Sequence, residues 1–484
     1  MKSEPQQIIE QNKDEFSEYY DSLRFVTPEE AYKASIKREE LLNYLQSNTK
    51  WGFNRTKMDC SVLSPGCRSC GDGTWSCLFI NNICNANCFY CPTSQDEYSE
   101  PTTQTVQFPD VEDYIAYIEK FGFRGVSISG GEPFLTFDKT LHFVKRIKEE
   151  FKEDIYLWLY TNGILADRKK LLALKENGLN EIRFDIGAVG YKTDKVELAC
   201  QIFDNVTVEI PAVPERQESL KELISYFNSI GVSYLNLHQI RCTFHNYKSL
   251  VKKGYTFLHG PKITVLESDL TALELIRYAK ENRIALPINY CSFIYKYRYQ
   301  RLAARKLFAP YVAEDYEDLT EAGLIRTLAV SADIDKIKKQ IEKFELKGIP
   351  PEHYYLSGDN KLYIKKYIWE LIKPEDFTIS LMYSKAFLLP QVSYRNVFRE
   401  IFLRKGKKIV IERMPILNTK ALSNNQISLF DQFICKDPES LNDYRHIDTI
   451  LGEWRRKCSI GKELDFMIDV YDCEKLRWGL LDYY

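Results

Sequence analysis

From residue 74 onward the chain alternates between short apolar runs and amphipathic stretches. Seven runs of strand length fall at Thr74–Ile80, Gly125–Ser129, Ile155–Thr161, Glu181–Ile186, Val206–Pro211, Tyr234–Ile240 and Ala285–Cys291. Between them apolar positions recur with helical period. Val111, Tyr114, Ile115, Ile118 and Phe121 make one stripe, and Leu141, Val144, Ile147 and Phe151 make another. Strands separated by helices predict right-handed βαβ crossovers and a parallel sheet. The α/β pattern over 74–292 predicts a partial or complete (β/α) barrel, with a doubly wound open sheet as the alternative. In both folds functional groups gather at the carboxyl ends of the strands.

The flanks follow other rhythms. Residues 1–57 are polar, and Thr27-Pro28-Glu29-Glu30 has the form of a capping box with proline at the first helical position. A helix is expected through Ala31 to Leu45, giving an N-terminal helical extension packed on the main domain. A Cys-rich segment, 58–83, leads into the first strand. Beyond residue 292 the alternation stops. Thr327–Val330, Asp376–Met382 and Lys408–Glu412 read as strands, and Ile334, Ile337, Ile341 and Phe344 as a helical stripe, so 293–484 is expected to be a separate α+β domain.

Composition narrows the partners. With 484 residues, 44% of them hydrophobic, the chain can bury more than one core. A content of 13% aromatic residues excludes a disordered chain. Lys and Arg number 66 against 68 Asp and Glu, so no global basic field draws nucleic acid. Two basic stretches, Tyr295–Lys306 and Arg395–Arg413, read as a solvated face and a charged hairpin around Lys405-Gly406-Lys407. No apolar run approaches the roughly 20 residues of a membrane helix, and Met1–Gln7 lacks the apolar stretch of an export signal. The expectation is a cytoplasmic protein without membrane association, whose thiols stay reduced.

Cysteine placement carries the chemistry. Of 13 cysteines, seven lie between Cys60 and Cys91. Clustered reduced thiols point to metal ligands rather than disulfides. The other six, Cys200, Cys242, Cys291, Cys435, Cys458 and Cys473, are expected to be small buried apolar residues. Cys84-x3-Cys88-x2-Cys91 directly follows the first strand. Three thiolates on one loop suit three irons of a [4Fe–4S] cube and leave the fourth iron open to another ligand. Gly130-Gly131-Glu132-Pro133 closes the second strand, Tyr160-Thr161-Asn162-Gly163 the third, and Arg183-Phe184-Asp185 ends the fourth, all on one expected rim. Asn162 and Asp185 are short hydrogen-bonding groups at strand ends, the alternative being loop caps. Glu209 is either a polar site residue or an edge-facing charge. His238 either lines the substrate side or is a hydrogen-bonded structural residue. A second set, Cys60, Cys67, Cys70 and Cys77, offers a closed tetrathiolate site for zinc or an auxiliary Fe–S cluster; Cys77 lies inside the predicted first strand and is the weak member.

This constellation resembles the radical S-adenosylmethionine superfamily. Cys84, Cys88 and Cys91 match its cluster motif, with Tyr90 as the aromatic before the third cysteine, and Gly130-Gly131-Glu132-Pro133 matches its second-strand motif for the methionyl amino group. Gly66-Cys67-x-x-Cys70, Leu-Phe-Ile and Cys-Phe-Tyr-Cys-Pro are similar to the uncharacterised branch related to pyruvate formate-lyase activating enzymes. The resemblance covers about 74–292 and departs from the superfamily near Glu209, where a glycine-rich adenine contact is missing. It implies a radical SAM barrel with a [4Fe–4S] cluster that cleaves S-adenosylmethionine (SAM) to a 5′-deoxyadenosyl radical. It also implies hydrogen abstraction from a substrate such as a peptide or protein, and a low-potential electron donor of the flavodoxin or ferredoxin type. The competing reading is a zinc-stabilised module that binds nucleic acid or protein without redox chemistry.

Overall fold

The computed structural model describes residues 4–59, 62–436, 462–476 and 479–480. The chain divides into two compact units. The first holds residues 4–300 together with short pieces at 403–407 and 479–480, and the second starts at Arg301.

In the first unit, each predicted apolar run holds a strand. These are β1 (Trp75–Phe79), β2 (Gly125–Ser129), β3 (Tyr156–Thr161), β4 (Glu181–Phe184), β5 (Val206–Pro211), β6 (Tyr234–His238) and β7 (Ile288–Cys291). All neighbours pair in parallel and in sequential order, β1 to β7, with two short antiparallel strands, Thr102–Thr103 and Val106–Gln107, beyond β1. A doubly wound sheet reverses direction at a switch point. Sequential order without reversal is the pattern of a barrel, and because β7 and β1 do not pair it is a partial (β/α) barrel.

The crossovers form for local reasons. Asp110 caps α4 (Val111–Phe121) by accepting the Glu112 N–H, and the left-handed Gly122 ends it. Asp167 caps α6 (Arg168–Glu176) in the same way. These two helices and α5 (Phe137–Phe151) lie between strands β1 and β4. At the N-terminus, α1 (Glu4–Phe16) precedes α2 (Pro28–Asn48), which has the predicted capping box at Thr27. α2 packs on the helix Leu266–Glu281 through buried Leu41, Leu42 and Leu45, and its Arg38 donates to Asp269 at 2.7 Å. A short helix, α3 (Pro65–Asp72), carries Cys67 and Cys70 just before β1.

The strand register separates two faces. Val126, Ile128, Leu157, Leu159, Ile182, Phe184, Val208, Leu235, Leu237 and Ile288 make the apolar face covered by helices. The opposite face holds Trp75, Trp158 and Pro211 but is otherwise rich in polar groups: Ser127, Glu181, Arg183, Thr207, Glu209, Asn236, His238, Asn289 and Cys291. Most of these are buried. A parallel sheet buried on both faces usually reads apolar throughout, so this polar lumen is the first sign of function.

The second unit is built on an antiparallel sheet. Its strands include β8 (Ile325–Ser331), β9 (Tyr354–Leu356), β10 (Lys361–Ile364), β11 (Thr378–Leu389), β12 (Phe398–Arg404) and β13 (Lys407–Ala421), in the order β9-β10-β8-β11-β13-β12. The helix Ile334–Leu346 packs Ile337 and Phe344 into a core with Leu381, Tyr383, Phe430 and Val470. Lys405 and Gly406 turn the chain between β12 and β13, as the charge pattern predicts. Among the described residues no helix is long and apolar enough to cross a membrane.

Candidate metal and cofactor centre

The loop after β1 carries Cys84, Cys88 and Cys91, all partly exposed and none in a disulfide. Anchors from four strand ends hold it. Asn81, fully buried, donates to the Glu132 carbonyl at 3.1 Å and to Thr136 at 2.8 Å. The Glu132 N–H donates to the Ile83 carbonyl at 2.7 Å. Gly131, at φ +60°, lies so near that a Cβ there would stand 2.1 Å from the Ile83 oxygen and 2.4 Å from Asn81 Oδ1. Only glycine permits this approach.

The Glu132 carboxylate turns into the rim. It accepts from the Phe134 N–H (2.9 Å), the Thr161 hydroxyl (2.8 Å) and the Asn162 N–H (2.7 Å), joining the end of β2 to the end of β3. Burial pushes its pKa up, and these three bonds oppose the rise. Asn162 donates from Nδ2 to Asn85 Oδ1 (2.7 Å) and Cys84 Sγ (3.7 Å), while its Oδ1 accepts the Ile164 N–H. Asp185, after β4, accepts the Tyr90 hydroxyl at 2.9 and 3.1 Å and the Gly187 N–H at 3.1 Å. Burial raises Asp185 to about 6. Beyond β6, Asn246 donates to the Tyr90 carbonyl at 3.0 Å and Thr243 to the Pro92 carbonyl at 2.8 Å.

The rim thus joins Cys84, Tyr90, Gly131, Glu132, Asn162 and Asp185 by direct contacts. Pro133 follows as the first residue of a short 3₁₀ turn. Asn81, Thr243 and Asn246 also hold the loop, and the sequence reading passed over them; Thr161, quoted there only as part of a strand-end motif, does so through Glu132. Their one sequence signal is polarity at strand ends, which common loop caps share.

The donor set suits an iron–sulfur cluster. Cys84 Sγ accepts the Ala86 N–H (3.4 Å) as well as Asn162 Nδ2. Burial pushes the Cys88 thiol up to about 12, and the neighbouring Asp185, Cys91 and Cys84 charges add to the rise. Uncompensated negative charge is thus costly here, and bound metal cations would reverse that cost. Among the described residues no three His, Cys, Asp or Glu side chains converge for a single metal ion.

Two expectations change on the lumen side. Glu209 is no edge charge: it is buried in the barrel, accepting from Arg183 at 2.9 Å and Asn236 at 2.8 Å and pairing with His238 at 2.6 Å. Burial would raise its pKa, but His238 and Arg183 hold it well below the usual carboxylate range. His238 also meets Lys296 Nζ at 2.8 Å through Nδ1. Burial and Lys296 keep its imidazole pKa low. Cys291, expected among the apolar cysteines, instead faces Lys57 and Asn289 in the lumen. Of the second set, Cys67 and Cys70 face the same region, Cys77 stands on β1 beside Ser127, and Cys60 lies outside the described residues.

Residues 78–197 match the model of the Radical SAM superfamily. A Methanocaldococcus jannaschii protein, described as a "putative glycyl-radical enzyme activating enzyme", is 31% identical over 386 residues, covering 76% of this chain and 98% of the relative. An Aquifex aeolicus GTP 3′,8-cyclase is 35% identical over 111 residues, covering 22% of this chain and 33% of that enzyme. The crystal structure of Streptococcus suis SuiB bound to S-adenosylmethionine aligns at 13% identity with a TM-score of 0.33, over 59% of this chain and 60% of that one.

Proposed function

The chain belongs to the radical SAM superfamily, and from that premise we propose that Cys84, Cys88 and Cys91 hold a [4Fe–4S] cluster and that the rim beside them binds S-adenosylmethionine. The chemistry such a pair supplies is one-electron cleavage of the sulfonium to a 5′-deoxyadenosyl radical, which takes hydrogen from a substrate. The residues of this chain orient that chemistry and exclude its competitors.

The observation that carries the reading is that one cysteine loop is gripped by the ends of neighbouring strands. Asn162, after β3, reaches Cys84, and Asp185, after β4, holds Tyr90. Amide donors at sulfur lower the cost of thiolate charge and tune a cluster's potential, which spans roughly −700 to +450 mV across proteins. Gly130 and Gly131, packed against Phe79 and Ile83, shape the turn that we assign to the methionyl amino group. Glu132 is a positioning residue for that turn, since its carboxylate is already shared among three protein donors. We assign Asn162 and Asp185, polar groups in contact with the loop, to the ribose.

The substrate we propose is a polypeptide, on the strength of the M. jannaschii relative, whose description names a glycyl-radical enzyme as the protein activated. The electron would come from a small low-potential carrier of flavodoxin or ferredoxin type. Protein purified without oxygen should be brown and should form 5′-deoxyadenosine from SAM with dithionite, and Cys88→Ala should abolish that product. A colourless zinc protein, or 5′-deoxyadenosine from the Cys88→Ala variant, would overturn the assignment.

A further inference from the structure

The barrel lumen brings together three thiols that the sequence does not group. Cys67 and Cys70, three residues apart on α3, share a helix face. Cys291 comes from the end of β7, more than 200 residues later. One nitrogen, Asn289 Nδ2, stands 3.7 Å from Cys67 Sγ and 3.4 Å from Cys291 Sγ, which bounds the distance between the sulfurs.

Donors crowd these sulfurs. Cys67 Sγ is reached by Asn236 Nδ2 (3.5 Å) and an Arg183 guanidinium nitrogen (3.7 Å), besides Asn289. Cys70 Sγ takes Gln300 Nε2 at 3.2 Å and the Tyr295 hydroxyl at 3.9 Å. Cys291 Sγ takes Lys57 Nζ at 3.5 Å. A neutral thiol is a weak acceptor; Asn236 and Arg183 also donate to Glu209 at 2.8 and 2.9 Å and Asn289 to the Asn236 oxygen at 3.0 Å, and that oxygen lies 3.8 Å from Cys67 Sγ. Thiolates match the donors better, because an ionised acceptor makes much stronger bonds.

The charges agree. Arg183 is already paired with Glu181 (2.8 Å) and Glu209 (2.9 Å). Lys57 is 1% exposed, its ammonium against Cys291 and 3.6 Å from the centre of the Tyr295 ring. Negative charge beside a buried ammonium stabilises it, and thiolate ligands would add such charge at Cys291. The Asn289 carboxamide oxygen, also buried, has no hydrogen-bond partner. Glycine at 66 lets α3 come this close: a Cβ there would stand 2.6 Å from an Arg183 nitrogen.

We infer that Cys67, Cys70 and Cys291 ligate a second iron–sulfur cluster in the lumen, apart from the rim loop. A cluster fits better than zinc. One zinc ion draws its sulfurs to within about 4 Å of each other, and among the described residues no three His, Cys, Asp or Glu side chains gather as a single-ion site. A cluster spaces its thiolates wider, because sulfides and several irons lie between them. The assignment replaces Cys77 of the sequence set with Cys291.

The test uses the full chain, reconstituted without oxygen with ferrous iron and sulfide. A variant with Cys84, Cys88 and Cys91 all changed to Ala should keep about half the wild-type iron and acid-labile sulfide. Adding Cys291→Ala should remove that remainder, whereas adding Cys77→Ala should spare it. Lys57→Met, on the three-alanine background, keeps all three lumen sulfurs and should lower the remaining cluster's midpoint potential, since a cation beside a cluster favours its reduced form. The inference is overturned if the three-alanine variant holds no iron, if zinc replaces iron, if iron survives Cys291→Ala or departs with Cys77→Ala, or if Lys57→Met leaves the potential unchanged. Because rim and lumen variants report on different halves of the iron, failure here is distinguishable from failure of the rim assignment.

Discussion

Glu132 offers the sharpest test of how the rim is held. Its Oε1 accepts Phe134 N–H and the Thr161 hydroxyl, and its Oε2 accepts the Asn162 N–H. Glu132→Gln keeps the shape but turns one acceptor into a donor. The amide will keep its oxygen where two donors point and set its NH2 against the Asn162 N–H. A buried N–H is then left unsatisfied, at a cost of about 1–3 kcal/mol. Glu132→Ala removes all three bonds and should cost more. The loss is local, so amide exchange reads it better than a global melt. At 1.4 kcal/mol per tenfold, the Asn162 amide should exchange about tenfold to hundredfold faster in Glu132→Gln. Because Asn162 also donates to Cys84 and Asn85, the variant should lose iron faster to a chelator. If the Asn162 amide exchanges at its wild-type rate in Glu132→Gln, the carboxylate does not hold the rim.

Three further outcomes are expected. Gly131→Ala combines a positive φ with a Cβ against the Ile83 oxygen, so it should destabilise the rim by more than about 2 kcal/mol and lower iron per chain; normal iron content and melting would refute the close approach. Asp185 titrates at about 6 when folded and about 3.9 when unfolded, so in metal-free protein its contribution is full below pH 4 and is lost as pH rises through 6. Asp185→Asn should therefore flatten the urea midpoint between pH 4 and 7 by at most about 3 kcal/mol, and an unchanged slope would contradict the burial argument. In the second unit, Arg326 grips both Glu474 oxygens at 2.6 and 2.7 Å and pairs with Asp318 at 2.9 Å, while Tyr383 donates to Glu474; Arg326→Met should cost about 3–5 kcal/mol by leaving the buried Glu474 charge without its cation, and Arg326→Met with Glu474→Met should recover part of it, Asp318 remaining unpaired with Arg326. A small loss in the single variant, by urea unfolding, would show the pair to be solvated.

Sequence alone placed the seven strands of the first unit, because hydrophobic period is a local property, and short βα links left two topologies, barrel or doubly wound, between which the strand pairing decided. It also found the rim motifs, since Cys84, Cys88 and Cys91 lie within one loop and Gly131 is needed by that loop's own path. What it could not decide is which polar residues look into the lumen. Strand faces alternate at period 2, but register against neighbours fixes what each residue meets. Glu209 shows this: its meeting with Arg183 and His238 depends on the offsets between β4, β5 and β6. Cys291 shows it more strongly. By composition it is one more buried cysteine. Only the folded sheet, with α3 laid against it, brings that sulfur to Lys57 and to the amide shared with Cys67.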